Sequence, residues 1–288
     1  TLNYTPLCDS LKVSDDNLKI ISFSLTRVIN ENLISSENID NKLSMSWFWL
    51  TDGDLWLNIS NSTLYEYTRE TLEYFEKKSP YNDYPLIRFI DDFTWLFDPI
   101  NESIPDYIYQ LSGDLKCFLN NAKTWLDIYD TDEDEYCDFY FEEYDQLISW
   151  TYQRSFDSGH LIGGPHFSFF RNDNKIRIVW ETESQLENGI DIWTAQDGSV
   201  EMLYSEFITE VKRFGKLFFR QMKTQVDLAV EKDWGNVKID KIRLIEEHSE
   251  REREFYNRVA KLEGSSIENT NWKRIEVLNN RMKDEIKK

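Results

Sequence analysis

Three histidines, three cysteines and ten glycines are spread over 288 residues, and each shortage closes a line of chemistry. His160, His166 and His248 fall in no H-E-x-x-H or Cys–His spacing, so no histidine-based metal centre is expected. Cys8, Cys117 and Cys137 are an odd number with no C-x-x-C pair. That predicts an unbridged cytoplasmic protein with Cys117 as a buried structural thiol. Gly159-x-x-x-Gly163-Gly164 lacks the spacing and the lysine of a phosphate loop, and no G-x-S-x-G nucleophile elbow occurs. No apolar run reaches eighteen residues, which excludes a spanning helix. The first twenty residues have neither a basic nor an apolar stretch of the secretory kind, so no signal peptide is expected there.

Aromatic surface, by contrast, is plentiful. Apolar residues make up 40% of the chain and aromatics 15%, with ten tryptophans, far too much ring surface for a disordered protein. Acid is plentiful too. The formal charge is −20, which repels phosphate backbones and anionic headgroups, so neither nucleic acid nor membrane is an expected partner. Residues 231–288 are near neutral at +1, leaving −21 on the first 230. Half of the excess sits in residues 124–153, which hold ten acids and no Lys or Arg. The run Asp130, Asp132, Glu133, Asp134, Glu135 and Asp138 opens like a calcium loop. It fails because Glu135 stands where the turn needs glycine and Phe141 where the last ligand belongs.

The same block is interleaved with Tyr129, Tyr136, Phe139, Tyr140, Phe141 and Tyr144. Two readings stand side by side. One is a charged loop followed by an amphipathic helix whose rings face the core. The other is a docking surface for a basic protein, with the six acids as charge footprint and Tyr136 and Tyr140 as anchors.

Periodicity predicts an α+β fold: antiparallel hairpins at about 46–60 and 166–196, packed with amphipathic helices, and a C-terminal helical hairpin. Two β-prone runs flank Thr51-Asp52-Gly53-Asp54, a turn signal. Asp114 caps a helix striped by Leu115, Phe118, Ala122, Trp125 and Tyr129, and another helix is expected over 138–156. Asn172-Asp173-Asn174 separates two strands, with a third expected at 190–195. Ser199 is the expected cap of a helix burying Leu203, Phe207, Val211, Phe214, Leu217 and Phe218. Gly235 marks a boundary between a body, 1–232, and the tail pair, 233–288, docked on the body or on a partner. In that tail Ile245, His248, Phe255, Val259 and Leu262 stripe one helix, and Trp272, Ile275, Leu278 and Met282 the next.

One constellation stands apart. Trp150 and Arg154 are four residues apart, Asp157 follows three later, and Arg154 is the first cation after the acidic run. A stacked Trp–Arg unit paired to Asp157 or a neighbouring carboxylate, fixing a corner of the fold, is the favoured reading over an arginine offered to a ligand anion.

Two segments resemble an uncharacterised bacterial family of acidic proteins. They are W-F-x-L-T-D-G, with Trp47, Asp52 and Gly53, and W-x-x-x-R-x-x-D-x-G-x-L-x-x-x-P, with Trp150, Arg154 and Asp157. Leu64 to Tyr67, the F-x-R of residues 169–171 and Trp180 extend the likeness over about 45–225, leaving out the acidic insert and the tail. The resemblance implies association with polymorphic toxin loci and an immunity role, with scaffold motifs and no catalytic residues. The expected function is one-to-one binding and neutralisation of a cognate, basic, nuclease-type toxin domain, with no catalytic residue, metal or cofactor. The rivals are a carboxylate-based metal-dependent hydrolase or modification-reversing enzyme, and a scaffold that oligomerises through its C-terminal helices.

Overall fold

The computed structural model describes residues 20–25, 37–39, 42–130, 137–235 and 237–287. The chain mixes helices with antiparallel sheets. Strand β1 (Ile21–Leu25) is followed by a short antiparallel pair, β2 (Glu37–Ile39) and β3 (Lys42–Met45). Next comes β4 (Asp52–Ile59), the spine of the first sheet. One of its edges takes β1; the other takes β5 (Ser62–Leu64) and, nearer its start, β6 (Asn82–Pro85). Helix α1 (Arg69–Tyr74) lies between β5 and β6.

Here the structure corrects the sequence reading. Asp52-Gly53 is not a turn. Phe48–Thr51 form one 3₁₀ turn, β4 starts at Asp52, and the chain reverses at Ser60-Asn61, with Ser60 in the left-handed region at φ 54°. Gly53 pairs with Leu25 on one side and Tyr84 on the other, and a Cβ there would stand 2.5 Å from the Ser24 carbonyl oxygen. Glycine is required for the close approach of three strands, not for a positive φ.

After α2 (Leu86–Trp95), α3 (Phe97–Asn101) and α4 (Asp106–Tyr109) come two long helices, α5 (Leu115–Tyr129) and α6 (Cys137–Tyr152). Asp114 caps α5 as expected, its carboxylate accepting from the Cys117 amide. Cys117 itself is exposed, because it falls off the α5 stripe that faces inward. The second sheet is an antiparallel meander of β7 (Ser155–Phe156), β8 (His166–Asn172), β9 (Lys175–Glu181) and β10 (Gly198–Leu203). Asp173 adopts φ 49° in the β8–β9 turn. The third strand is β10, not 190–195. Asp197 accepts from the Thr182 and Glu183 amides, which steers the chain past the irregular stretch and into β10. Ser199 therefore lies inside a strand, and α7 (Tyr204–Glu231) starts after Leu203, which, expected inward on the helix, ends β10 exposed, its amide taken by Glu206.

The tail opens with β11 (Lys238–Ile239), which pairs in parallel with β3, and continues into α8 (Lys241–Glu263) and α9 (Trp272–Ile286). The two helices enter different cores. Helix α8 buries Leu244, His248, Phe255, Val259 and Leu262 in the large cluster built by the first sheet, β8, β9, α2 and α7. Helix α9 buries Trp272, Ile275, Leu278 and Met282 in a second cluster with α4, α5, α6 and Phe170. Ile245, expected inward, is exposed; Leu244 takes the inner position. No described helix is long and apolar enough to cross a membrane.

Gly215 of α7 packs against α8, with the Phe255 ring filling the space that a Cβ would need. A Gly215→Ala substitution is expected to lower unfolding stability by about 1–3 kcal/mol through overpacking. Thermal melts of the single variant and of Gly215→Ala/Phe255→Leu test this, the second change restoring part of the loss.

Candidate functional site

The acidic block is split by the helix that carries it. On α6, residues 140, 143, 147 and 150 form one stripe and residues 141, 145, 148 and 152 another. The first stripe faces inward. Leu147 and Trp150 are fully buried, with Trp150 against Phe118 and Phe170. Glu143 is buried as well, and its two carboxylate oxygens are taken by Arg274 and Arg281 of α9, the latter at 2.7 Å. Arg281 also lies 5.1 Å above the Tyr140 ring and donates to its hydroxyl at 3.1 Å. Tyr140 stacks on Tyr129 with ring centroids 5.0 Å apart. This tyrosine, expected as a partner anchor, is therefore engaged within the chain. The two α9 arginines stand seven residues apart, the spacing that puts both on one face, and that was the signal available in the sequence.

The second stripe faces outward. Phe141 is 55% exposed and Tyr152 47%, with Asp145 between them and half-buried Ile148 beside it. The Tyr152 hydroxyl donates to Asp145 at 3.2 Å. Tyr144 flanks this stripe; burial and then the carboxylates of Asp127 and Asp145 raise its pKa, which places Asp127 of α5 at the same surface. Ile128 of α5 is exposed as well. Asp130, directly after α5, is exposed and donates its amide to the Leu126 carbonyl. Asp132, Glu133, Asp134, Glu135 and Tyr136 lie outside the described residues, as does the side chain of Asp138. Sequence reasoning missed Phe141 and Tyr152 because it weighed the run of acids rather than the helix faces.

The motif residues sit inside the fold. Trp47 is fully buried at the head of the 3₁₀ turn, just before Phe48, with the Arg251 guanidinium 4.8 Å above its ring. Asp52 and Gly53 begin β4. Asp157 is exposed and accepts from the Gly159 amide at 3.0 Å, so it closes a local turn and does not reach Arg154. Arg154 pairs instead with Glu102 at 2.5 Å, both side chains fully buried. It donates to the Trp150 carbonyl at 3.1 Å and lies over the ring of Trp272, not that of Trp150. Two further positions had no sequence signal. Tyr65 and Ser158 share a buried 2.5 Å hydrogen bond, and both hold left-handed backbone, at φ 65° and 30°. His160 stacks on Tyr84 with centroids 4.5 Å apart, and burial lowers its pKa. Among the described residues no group of three or more His, Cys, Asp or Glu side chains could hold a metal ion.

The profile of a family of unknown function, DUF5984, matches residues 20–278. The chain belongs to that family. No curated protein and no solved structure matches it. The match runs through α8 and into α9, so it includes the tail and the acidic block that the resemblance left out.

Around Glu102, burial raises the carboxyl pKa, but the Thr270 hydroxyl, the Thr270 and Asn269 amides and Arg154 outweigh it and leave it below the ordinary value of 4.5. A depressed carboxyl stabilises the fold fully above 4.5, and that stability is lost as pH falls through the folded-state value. Urea midpoints measured between about pH 6 and pH 3 are expected to fall less steeply in Glu102→Gln than in the unmodified protein. Arg154→Met, which leaves a buried carboxylate unpaired, is expected to cost about 3–5 kcal/mol at neutral pH.

Proposed function

We propose that this chain is an immunity protein that binds one cognate bacterial toxin domain in the cytoplasm, one to one, and blocks it without catalysis of its own. The observation that carries the reading is the outward stripe of α6. Two large rings stand exposed on either side of a carboxylate, within a thirty-residue stretch that has no Lys or Arg. Rings exposed together on one helix face, here with Ile148 beside them, form the kind of grouped apolar patch that supplies the buried anchor of an interface. The surrounding carboxylates steer a basic partner to it, raising the association rate. In the sequence, Asp130, Asp132, Glu133, Asp134, Glu135 and Asp138 add six more carboxylates between the end of α5 and the start of α6. A basic, nuclease-type toxin domain has the complementary sign.

Mixing with the protein encoded immediately upstream tests this. A tight one-to-one complex that weakens with added salt is expected. Phe141→Ala and Tyr152→Ala should each weaken it by about 2 kcal/mol, roughly thirtyfold. Neutralising the 130–138 acids should slow association more than it speeds dissociation. A complex indifferent to all of these changes would remove α6 as the docking face, and the absence of any complex would remove the immunity reading.

A further inference from the structure

The outward face of α8 carries a stripe that stays exposed among the described residues, with Tyr256 at its edge also meeting the Phe219 ring of α7, centroids 6.5 Å apart. Ile242, Ile245, Ser249, Arg253, Tyr256 and Ala260 recur at three- and four-residue steps, and all are exposed, Ile242 at 71% and Ile245 at 48%. They lie opposite the buried stripe of Leu244, His248, Phe255 and Val259. Two isoleucines left open in this way near one helix end are unusual on a surface helix whose polar positions are otherwise charged. The charges single out two residues. Arg243 pairs with Glu250, Arg251 with Glu247 and Asp91, and Arg258 with Glu254. Among the described residues Arg253 and Glu246, both on this face, have no ion-pair partner.

We propose that this face docks a second copy of the chain, α8 against α8, with the two helices antiparallel. Glu246 and Arg253 are equidistant from a point between Ser249 and Glu250. A two-fold axis through that point sets Glu246 of each copy across from Arg253 of the other, two ion pairs from one self-complementary patch. The same axis lays Ile242 beside Tyr256 of the second copy and puts the small Ser249 side chains at the crossing, where the helices come closest. A parallel arrangement would oppose Glu246 to Glu246 and Arg253 to Arg253, so the charge order selects the antiparallel one. One helix pair covers less than a standard interface of about 1,600 Å², which predicts a dimer in the micromolar range rather than an obligate one. The inference stands on α8 alone and is independent of the toxin-binding face on α6.

Sedimentation equilibrium of the full chain from about 5 to 200 µM is the test. The weight-average mass is expected to rise with concentration from 34.5 kDa towards twice that value. Glu246→Arg alone and Arg253→Glu alone should each weaken association about tenfold, and the double exchange should restore it. Both side chains are exposed and unpaired, so melting temperatures should stay level across the set. A monomer at every concentration overturns the proposal. So does a dimer that neither single change weakens, or a double exchange no tighter than the singles.

Discussion

Four hydrogen-bond donors converge on the carboxylate of Glu102, and the second core closes around that meeting. Arg154 and the Thr270 hydroxyl reach one oxygen, at 2.5 and 2.7 Å. The Asn269 and Thr270 amides reach the other, both at 2.8 Å. Residues 52 and more than 160 positions away in sequence are thereby fixed to the end of α3. Two charges buried this deeply cost more to desolvate than their attraction returns unless every lone pair is used, and here the surrounding donors use them. Arg154 then roofs the Trp272 ring at the start of α9, so the end of α6, the segment before α9 and the first residue of α9 share one anchor. Asn101 next door extends it, donating to the Ser265 carbonyl and accepting from Arg171 of β8.

That anchor changes the meaning of the acidic charge. An address for a basic partner is the natural reading of ten acids in thirty residues, and part of it is answered inside the molecule. Helix α9 brings Arg274 and Arg281 to Glu143, and Arg281 to the Tyr140 ring. The near-neutral tail is thus the internal counter-ion of the inner face of α6. Its outer face differs: Asp145, between Phe141 and Tyr152, has no Lys or Arg partner among the described residues, and this asymmetry separates the scaffold role of the block from its proposed docking role.

Elements set by local rules were legible in the sequence. Helix α5 with its Asp114 cap, the inward stripes of α7 and α9 and the β8–β9 turn at Asp173 all follow from period, cap or φ preference. What escaped depends on distant chain. Gly53 read as a turn because Asp-Gly tolerates positive φ, whereas the packing of β1 against β4 requires it for closeness. Arg154 had Asp157 at hand but pairs with a carboxylate at the end of α3, where Thr270 and Asn269 also converge. On α8 a shift of one residue, Leu244 for Ile245, separates a diluted heptad from the observed buried face. At the candidate site the charge was visible from composition, whereas the division between faces required the helix to be placed against α9.

The lateness of α9 has a consequence for the growing chain. Helices α5 and α6 are synthesised more than a hundred residues before the segment that supplies Trp272, Ile275, Leu278 and Met282 to their shared core. Until that segment leaves the ribosome, Glu143 has no counter-charge and the inner rings of α6 stand open to chaperones and proteases. The first cluster can collapse earlier, around α7. Closure of the second core therefore waits for α9 to be made, and a chain cut short before α9 is marked for turnover by its own unfinished wall.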